Sequence, residues 1–93
     1  MKIVVVEDEL KILDGIISLI NSFGGEFELR GKARNGKEGI SVVLREKPDI
    51  VITDITMPIL NGLEMIKEIN RNNFKGKFII LSGYADLNMP RRR

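Results

Sequence analysis

The chain has 93 residues, of which 43% are apolar and 30% are charged, and its sequence contains no Cys and no His. This length predicts one small globular domain, because so short a chain buries too little surface to support two independent cores. The lack of Cys excludes disulfides and thiolate metal sites, and the lack of His removes the commonest general base and metal ligand. Any chemistry must therefore rest on carboxylates, hydroxyls and lysines.

No part of the sequence predicts a membrane anchor or a secretion signal. The longest apolar runs, Ile3 to Val6 and Ile50 to Ile52, are far shorter than the roughly 20 residues that cross a bilayer. The first run begins too early to leave room for a signal peptide, so we expect a cytoplasmic protein without a membrane partner. The net charge of +2 depends on Arg91, Arg92 and Arg93. The rest of the chain is near neutral, and we expect no direct nucleic-acid contact by this domain.

The first part of the chain predicts two strands and two helices. Lys2 to Val6 is a β-branched run that is typical of a strand buried on both faces, as in a parallel sheet. Apolar residues at helical spacing follow as far as Gly24 and predict a first helix. The alternation of apolar and charged residues over Phe27 to Ala33 predicts a strand nearer a sheet edge. Asn35 and Glu38 form a capping box that opens a second helix.

The second part repeats this pattern. Asp49 to Thr53 predicts a short apolar strand that leads directly to Asp54, and Lys77 to Leu81 predicts a fourth strand. Asn61 and Glu64 form a second capping box, which opens a third helix. We expect the inner face of this helix to contain Leu63, Ile66 and Ile69. The β-α-β-α-β-α-β order predicts an α/β fold, a doubly wound parallel sheet with helices on both faces.

Acidic and hydroxyl residues follow three of the predicted strands. Glu7 and Asp8 follow the first strand, Asp54 follows the third and Ser82 follows the fourth. Because parallel strands place their carboxyl ends at one edge of an open sheet, we expect these side chains to converge there. Carboxylates 4 Å apart repel one another by roughly 4 kcal/mol per pair at an effective dielectric constant near 20. A cation is therefore needed, and oxygen ligands without His or Cys favour Mg²⁺.

Each of these residues also has an ordinary structural explanation. The acidic triplet from Glu7 to Glu9 would equally stabilise the positive end of the first helix. Asp54 taken alone would be an acid that caps a turn, and Ser82 beside Gly83 would be a turn residue. Acids at the ends of two buried strands favour the functional interpretation, because the two strands bring them to the same edge.

Three short segments together carry a family resemblance. They are Glu7 and Asp8 after an apolar strand, Val51 to Pro58 with Gly62 after it, and Ile80 to Gly83. In this order they resemble the receiver domains of two-component response regulators, over about residues 1 to 87, with 88 to 93 as a tail. The pattern ITDI.MP..NGLEMI followed by IILSGYAD is similar to receivers of AraC-type DNA-binding regulators. The resemblance implies a single domain with the flavodoxin-like receiver fold.

The resemblance also implies a phosphoacceptor that is a stoichiometric switch and not a turnover enzyme. Asp54 would take a phosphoryl group from a sensor histidine kinase, with Mg²⁺ as the cofactor. Asp8 and Asp54 would bind the metal directly and Glu7 would bind it through water. The backbone carbonyl of Thr56 would complete the metal ligands, and the hydroxyl of Ser82 would contact the phosphoryl group. Such a transfer needs a metal and good alignment more than covalent help from the protein.

The family's domains continue with a helix, a strand that bears a Lys, and a further helix. The residues after Gly83 are too few for these elements, so the resemblance implies a receiver that lacks its last helix-strand-helix portion. Phe78 to Leu81 is then expected at a sheet edge, where it predicts a homodimer or higher oligomer. Lys75 and Lys77 precede the fourth strand and are expected at the opposite end of the sheet. Phosphorylation of Asp54 is therefore expected to be weak.

Two other functions remain open on the sequence. One is a receiver-like protein-interaction module that is not effectively phosphorylated. The other is a phosphatase with an aspartate nucleophile, but such an enzyme needs a second acid two residues after the nucleophile. Thr56 occupies that position, and the sequence therefore argues against the phosphatase.

Overall fold

In the computed structural model of the chain, residues 1–81 are described. They form four strands and three α-helices in alternation, with a 3₁₀ turn at Gly24–Glu26. The elements are β1 (Lys2–Val6), α1 (Leu10–Ser22), β2 (Glu28–Ala33), α2 (Gly36–Glu46), β3 (Ile50–Thr53), α3 (Gly62–Arg71) and β4 (Lys77–Ile80). The predicted order of elements is confirmed. None of the helices in this part of the chain combines the length and the hydropathy that a bilayer crossing requires.

The strands pair in the order β2-β1-β3-β4, and every pairing is parallel. β1 lies between β2 and β3, as expected for an unbroken run of apolar β-branched residues. Its side chains alternate between the two faces of the sheet. Ile3 and Val5 pack with α1 on one face, and Val4 and Val6 pack with α2 and α3 on the other. The doubly wound α/β fold predicted from the sequence is therefore confirmed.

Each face of the sheet has its own apolar core. The core on the α1 side contains the buried residues Ile3, Val5, Leu13 and Ile20. The core on the other side is larger and contains Val4, Val6, Ala33, Val42, Val43, Val51, Met57, Met65 and Ile69. Met57 comes from the loop after β3, so the larger core holds that loop against α2 and α3. Burial of such side chains stabilises a fold by about 1.5–3 kcal/mol each.

The asparagine half of each predicted capping box is present. The side-chain oxygen of Asn35 accepts a hydrogen bond from the backbone N–H of Glu38 at 2.8 Å, and Asn61 accepts one from Glu64 at 2.9 Å. These bonds satisfy amide groups at the starts of α2 and α3 that have no partner within the helix. α1 begins differently, because its cap residue Glu9 makes no side-chain capping bond.

The predicted inner face of α3 is wrong at one position. Leu63 is 49% exposed, whereas Met65 is fully buried. The helix begins at Gly62, and its buried residues Gly62, Met65 and Ile69 follow the spacing of a single helical stripe. Leu63 is rotated away from that stripe, and Ile66 lies at its border, half-buried.

The strands at the two edges of the described sheet differ from their predicted bounds by one residue. β2 begins at Glu28, and the ring of Phe27 instead meets the ring of Phe23 edge to face, 5.5 Å away between centroids. β4 ends at Ile80. Ile79 and Ile80 are 46% and 44% exposed, so the described part of β4 presents apolar side chains at a sheet edge, as expected.

Candidate metal centre

The register between β1 and β3 brings the predicted acids together. Val6 and Thr53 are the last residues of their strands, and they are register partners. The ladder continues one step further, because the amide of Asp54 donates to the carbonyl of Val6 at 3.2 Å. Glu7 and Asp54 therefore leave the sheet side by side. One carboxylate oxygen from each of Glu7, Asp8 and Asp54 lies within 4.8 Å of the other two. We call these three residues the acidic cluster.

Glu7 is the buried member of the acidic cluster. It is only 2% exposed, because it follows four buried residues of β1. Burial raises the pKa of the Glu7 carboxyl above its ordinary value of 4.5, and the nearby charges of Asp54 and Asp8 raise it further. A hydrogen bond from the backbone N–H of Glu9 to Oε2 of Glu7, 3.0 Å long, acts in the opposite direction. The buried negative charge of ionised Glu7 is thus poorly balanced by the protein, and this burial costs free energy. A cation in the acidic cluster would offset that cost.

The carboxylate of Asp54 is oriented by the backbone that follows it. Its Oδ1 accepts hydrogen bonds from the amides of Ile55 at 2.6 Å and Thr56 at 3.3 Å. The hydroxyl of Thr53 donates to the backbone carbonyl of Asp54 at 2.8 Å. Asp54 itself is half-buried, so its carboxylate is fixed in direction and still accessible. Thr56 lies beside the cluster, and the role of its carbonyl as a metal ligand stays a prediction.

The loop between β3 and α3 is held at several points. The amide of Gly62 donates to the carbonyl of Ile55 at 2.7 Å, which closes the loop, and Met57 is buried in the larger core. The carbonyl of Leu60 accepts a hydrogen bond from the amide of Gly36 at 3.0 Å, which ties the loop to the start of α2. These contacts hold the residues after Asp54 in one arrangement. Met57 is therefore a packing residue.

The helix-cap explanation for the acidic triplet finds no support in the structure. α1 begins at Leu10 and has no acidic residue in its first turn, and Glu9 makes no side-chain capping bond. Glu7 and Asp8 instead lie in the acidic cluster. Their position is better explained by a shared cation than by the charge at the end of the helix.

The donor set fits Mg²⁺. This ion is bound by oxygen atoms at 2.0–2.1 Å in an octahedron, so its ligand oxygens lie about 3–4 Å apart. The oxygens of the cluster lie within 4.8 Å of one another, and a water between Glu7 and the ion would account for a somewhat wider arrangement. Asp8 and Asp54 are half-buried and open to solvent, which suits an ion that retains water ligands.

The remaining predicted site residues have different outcomes. Ser82 lies outside the described residues, so its contact with a phosphoryl group stays a prediction. Lys77 begins β4 and pairs with Ile50 at the start of β3. It therefore lies at the end of the sheet opposite to the acidic cluster, as expected, and Lys75 precedes it in the chain.

Sequence reasoning missed one charged residue near the cluster. The guanidinium Nη2 of Arg34 donates a hydrogen bond to the backbone carbonyl of Asp8 at 2.9 Å. Arg34 directly follows β2, the strand beside β1, so its carboxyl-edge position was a usable signal.

Comparison with known proteins identifies both the fold and the family. A family model described as "Response regulator receiver domain" matches residues 3–92. The chain is 40% identical over 85 residues to the uncharacterized transcriptional regulatory protein YesN of Bacillus subtilis, a match that covers 91% of this chain and 23% of that protein. It is 36% identical over 81 residues to the chemotaxis protein CheY of Thermotoga maritima, covering 87% of this chain and 66% of that protein. The crystal structure of the response regulator domain of Thermotoga maritima CheB superposes with a TM-score of 0.85 at 27% identity, over 95% of this chain and 64% of that one.

These matches agree with the finer resemblance as well. The relatives include transcriptional regulators of the AraC and LuxR types, and the AraC-type likeness was predicted from the sequence. The chain spans less than a quarter of the length of YesN. The flavodoxin-like fold is confirmed, since the structural neighbours are receiver domains with the same parallel sheet. With a family model matched over nearly its whole length, the chain belongs to the response regulator receiver domain family.

Proposed function

We propose that this chain is the phosphoacceptor domain of a cytoplasmic response regulator, and that a sensor histidine kinase transfers a phosphoryl group to Asp54 in the presence of Mg²⁺. The observation that supports this most directly is the acidic cluster, in which three carboxylates that follow two neighbouring strands have oxygen atoms within 4.8 Å of one another. Receiver domains are regulatory switches. The domain would therefore act once per phosphoryl group rather than as a turnover enzyme.

Each residue of the cluster has a distinct part in this proposal. Asp8 and Asp54 hold the metal directly, Glu7 holds it through water, and the carbonyl of Thr56 completes the protein ligands. Bound Mg²⁺ would neutralise the negative charge of the carboxylates and of the incoming phosphoryl group. Ser82 contacts a phosphoryl oxygen through its hydroxyl. These assignments follow the family resemblance, and the positions of the three acids support them.

Asp54 is the nucleophile. Two backbone amides donate to its Oδ1, those of Ile55 and Thr56, and thereby fix the rotation of the carboxylate. A fixed nucleophile raises the rate of an in-line transfer, since less orientational freedom is lost on the way to the transition state. Backbone geometry therefore supplies the alignment that phosphoryl transfer requires.

Mass spectrometry of the intact protein tests this function. Treatment with a small acyl phosphate and Mg²⁺ is expected to add the mass of one phosphoryl group, in a linkage that both acid and base hydrolyse, as is typical of an acyl phosphate. Asp54→Asn removes the nucleophile and is expected to abolish the added mass. Asp14→Asn is the matched control, because Asp14 is an exposed acid of α1 and its loss is expected to leave labelling unchanged. Labelling that persists in Asp54→Asn would refute the assignment.

Magnesium binding without labelling would have a different meaning. It would support the alternative function, a receiver-like protein-interaction module without effective phosphorylation. No Mg²⁺ binding and no labelling would remove both the metal centre and the phosphoacceptor role.

Self-association is the second part of the proposal. The apolar side chains of Ile79 and Ile80 at the β4 edge are each more than two-fifths exposed. A second copy that covers them would remove apolar surface from water, and exposed apolar edges of sheets tend to pair. Size-exclusion chromatography with light scattering is expected to detect a homodimer or higher oligomer that Ile79→Lys weakens. A strict monomer at high concentration would contradict self-association without affecting the phosphoacceptor role.

A further inference from the structure

Arg34 connects two loops at the carboxyl edge of the sheet. Its Nη2 donates to the carbonyl of Asp8 at 2.9 Å, and its own backbone N–H donates to Oε1 of Glu38 at 2.7 Å. Glu38 lies in the first turn of α2, where its amide also bonds the cap residue Asn35. The backbone of Arg34 is therefore anchored to α2, and its side chain extends from that anchor to the loop between β1 and α1. We call this pair of hydrogen bonds the Arg34 bridge.

The loop between β1 and α1 has a physical reason to need such a bridge. Its residues Glu7 and Asp8 belong to the acidic cluster, and their carboxylates repel each other and that of Asp54. Glu7 is held by its burial and by the hydrogen bond from its amide to the carbonyl of Ala33 at 2.9 Å. Asp8 is more exposed than Glu7, and α1 starts without a side-chain cap that would fix the end of the loop. Asp8 is thus the member of the cluster most easily displaced.

We propose that Arg34 is a positioning residue of the metal centre: the Arg34 bridge holds the backbone of Asp8 so that its carboxylate stays with those of Glu7 and Asp54 before a cation binds. This inference rests on the proposed function, since it concerns the same Mg²⁺ site. A site that is already assembled loses less conformational freedom on binding its ion, so its affinity is higher. Arg34 acts through Asp8 and is not itself a ligand.

The charge of Arg34 has the opposite effect on Mg²⁺ affinity. A guanidinium near the cluster repels a divalent cation, and its removal would strengthen binding if repulsion were its main effect. Arg34 is exposed, so water and salt screen its charge, whereas its hydrogen bond acts directly on the backbone of a metal ligand. We therefore expect positioning to dominate. Loss of positioning would weaken Mg²⁺ binding, whereas loss of charge repulsion would strengthen it. The direction of the change in a titration therefore shows which effect is larger.

Calorimetric titration with MgCl₂ tests the proposal on the full chain. Arg34→Ala and Arg34→Gln are expected to weaken Mg²⁺ binding roughly three- to tenfold, the range that the net contribution of one ordinary, solvent-exposed hydrogen bond supports. Arg34→Lys retains a charged donor and is expected to lie closer to the wild type than Arg34→Ala does. Arg30→Ala is the matched control, because Arg30 is an exposed arginine of β2 whose partners are Glu28 and Glu46. Its affinity for Mg²⁺ is expected to remain within about twofold of the wild type.

Hydrogen–deuterium exchange of the metal-free protein gives an independent readout. In Arg34→Ala the amides of Asp8, Glu9 and Leu10 are expected to exchange faster, while those of β3 keep their rates. A purely structural role at the start of α2 would instead accelerate exchange in 36–40 and leave the amides of residues 8–10 unchanged, which would overturn the proposal. Affinity that stays equal or increases in Arg34→Ala would also overturn it. If the wild type binds no Mg²⁺, the proposed function fails and this inference fails with it.

Discussion

Gly62 packs its α-carbon against the backbone of Asp54 so closely that no side chain fits between them. A β-carbon at position 62 would overlap the carbonyl of Asp54 and would stand 2.9 Å from Cα of Ile55. The amide of Gly62 closes this contact by donating to the carbonyl of Ile55. The glycine at position 62 is therefore explained by its contact with the backbone of Asp54, which leaves no room for a β-carbon at the start of α3.

Gly62→Ala is expected to destabilise the protein by about 1–3 kcal/mol, because backbone atoms of the β3–α3 loop must move to admit the methyl group. Urea unfolding followed by circular dichroism measures the change. Gly15→Ala is the matched control, since Gly15 lies within α1 and a β-carbon there meets nothing within 4 Å. That substitution is expected to stabilise the protein by roughly 0.5–1 kcal/mol through better helix propensity. Equal effects of the two substitutions would contradict the explanation.

Ile59 has an unfavourable backbone conformation without the compensation of burial. Its φ angle is +71° and its side chain is 75% exposed, and the amide of Leu60 donates to the carbonyl of Pro58 at 2.7 Å across it. This is a γ-turn of the rare and strained type. A β-branched residue in this region costs about 1–2 kcal/mol relative to ordinary backbone.

Ile59→Asn is therefore expected to stabilise the protein by about 1 kcal/mol, because Asn tolerates positive φ and little apolar burial is lost. Thermal unfolding detects this as a higher midpoint. Ile12→Asn provides the comparison: Ile12 is 45% exposed but lies inside α1. There the same exchange lowers helix propensity and is expected to destabilise the protein. A loss of stability in both variants would show that the conformation at Ile59 carries no strain.

The contrast between Ile59 and the acidic cluster shows what the sequence reveals. The acids were predictable because two apolar runs each end in a carboxylate, and parallel pairing brings such ends together whatever the details of the loops. The conformation of Ile59 depends on where Gly62 and Met57 fix the loop, and nothing in a local pattern specifies it. The same holds for Arg34, since its partner Asp8 lies in the loop between β1 and α1 and is far away in sequence.

The inner face of α3 shows a different limit. Leu63, Ile66 and Ile69 recur every third residue, and this spacing is compatible with one face of a helix. The packing of Gly62 against Asp54 sets the rotation of the helix, and it turns Met65 rather than Leu63 into the core. The sequence is compatible with an inner face that contains either Leu63 or Met65. The contact of Gly62, the first residue of α3, therefore selects the face with Met65.

The cap of α3 gives a prediction in which the same substitution has opposite effects at the two ends of one helix. Asn61 accepts a hydrogen bond from the amide of Glu64, so Asn61→Ala is expected to cost about 1 kcal/mol of stability. Asn70→Ala lies in the last part of α3, where Ala is the better helix former, and is expected to be neutral or slightly stabilising. Urea midpoints of the two variants measure the difference. If Asn61→Ala is as harmless as Asn70→Ala, the cap contributes nothing to stability.

Glu7 links the stability of the domain to pH. Its pKa is raised by burial first and by the neighbouring Asp54 and Asp8 second, so the folded state favours the protonated carboxyl. The protonated carboxyl of Glu7 therefore stabilises the folded state relative to the unfolded state. This stabilisation is fully present below the unfolded pKa of 4.5 and is lost as the pH rises through the raised pKa of the folded state. At neutral pH without metal, ionised Glu7 should therefore destabilise the fold.

Glu7→Gln replaces the ionised carboxylate with a neutral group of the same shape and is expected to raise the unfolding midpoint at neutral pH in EDTA. As the pH falls below 4.5, the two proteins should converge, because Glu7 becomes protonated in both the folded and the unfolded state and then resembles Gln. Saturating Mg²⁺ should reduce the difference in unfolding midpoint between the two proteins at neutral pH. An ion at 100 times its dissociation constant stabilises the wild type by about 2.7 kcal/mol, and Glu7→Gln is expected to bind the ion more weakly. Glu26→Gln, a loss of one exposed charge outside the cluster, should keep the full response to Mg²⁺. A Glu7→Gln variant that is less stable than the wild type at every pH would mean that the protein itself already compensates the buried charge of Glu7. The physical argument for a cation in the acidic cluster would then lose its main support.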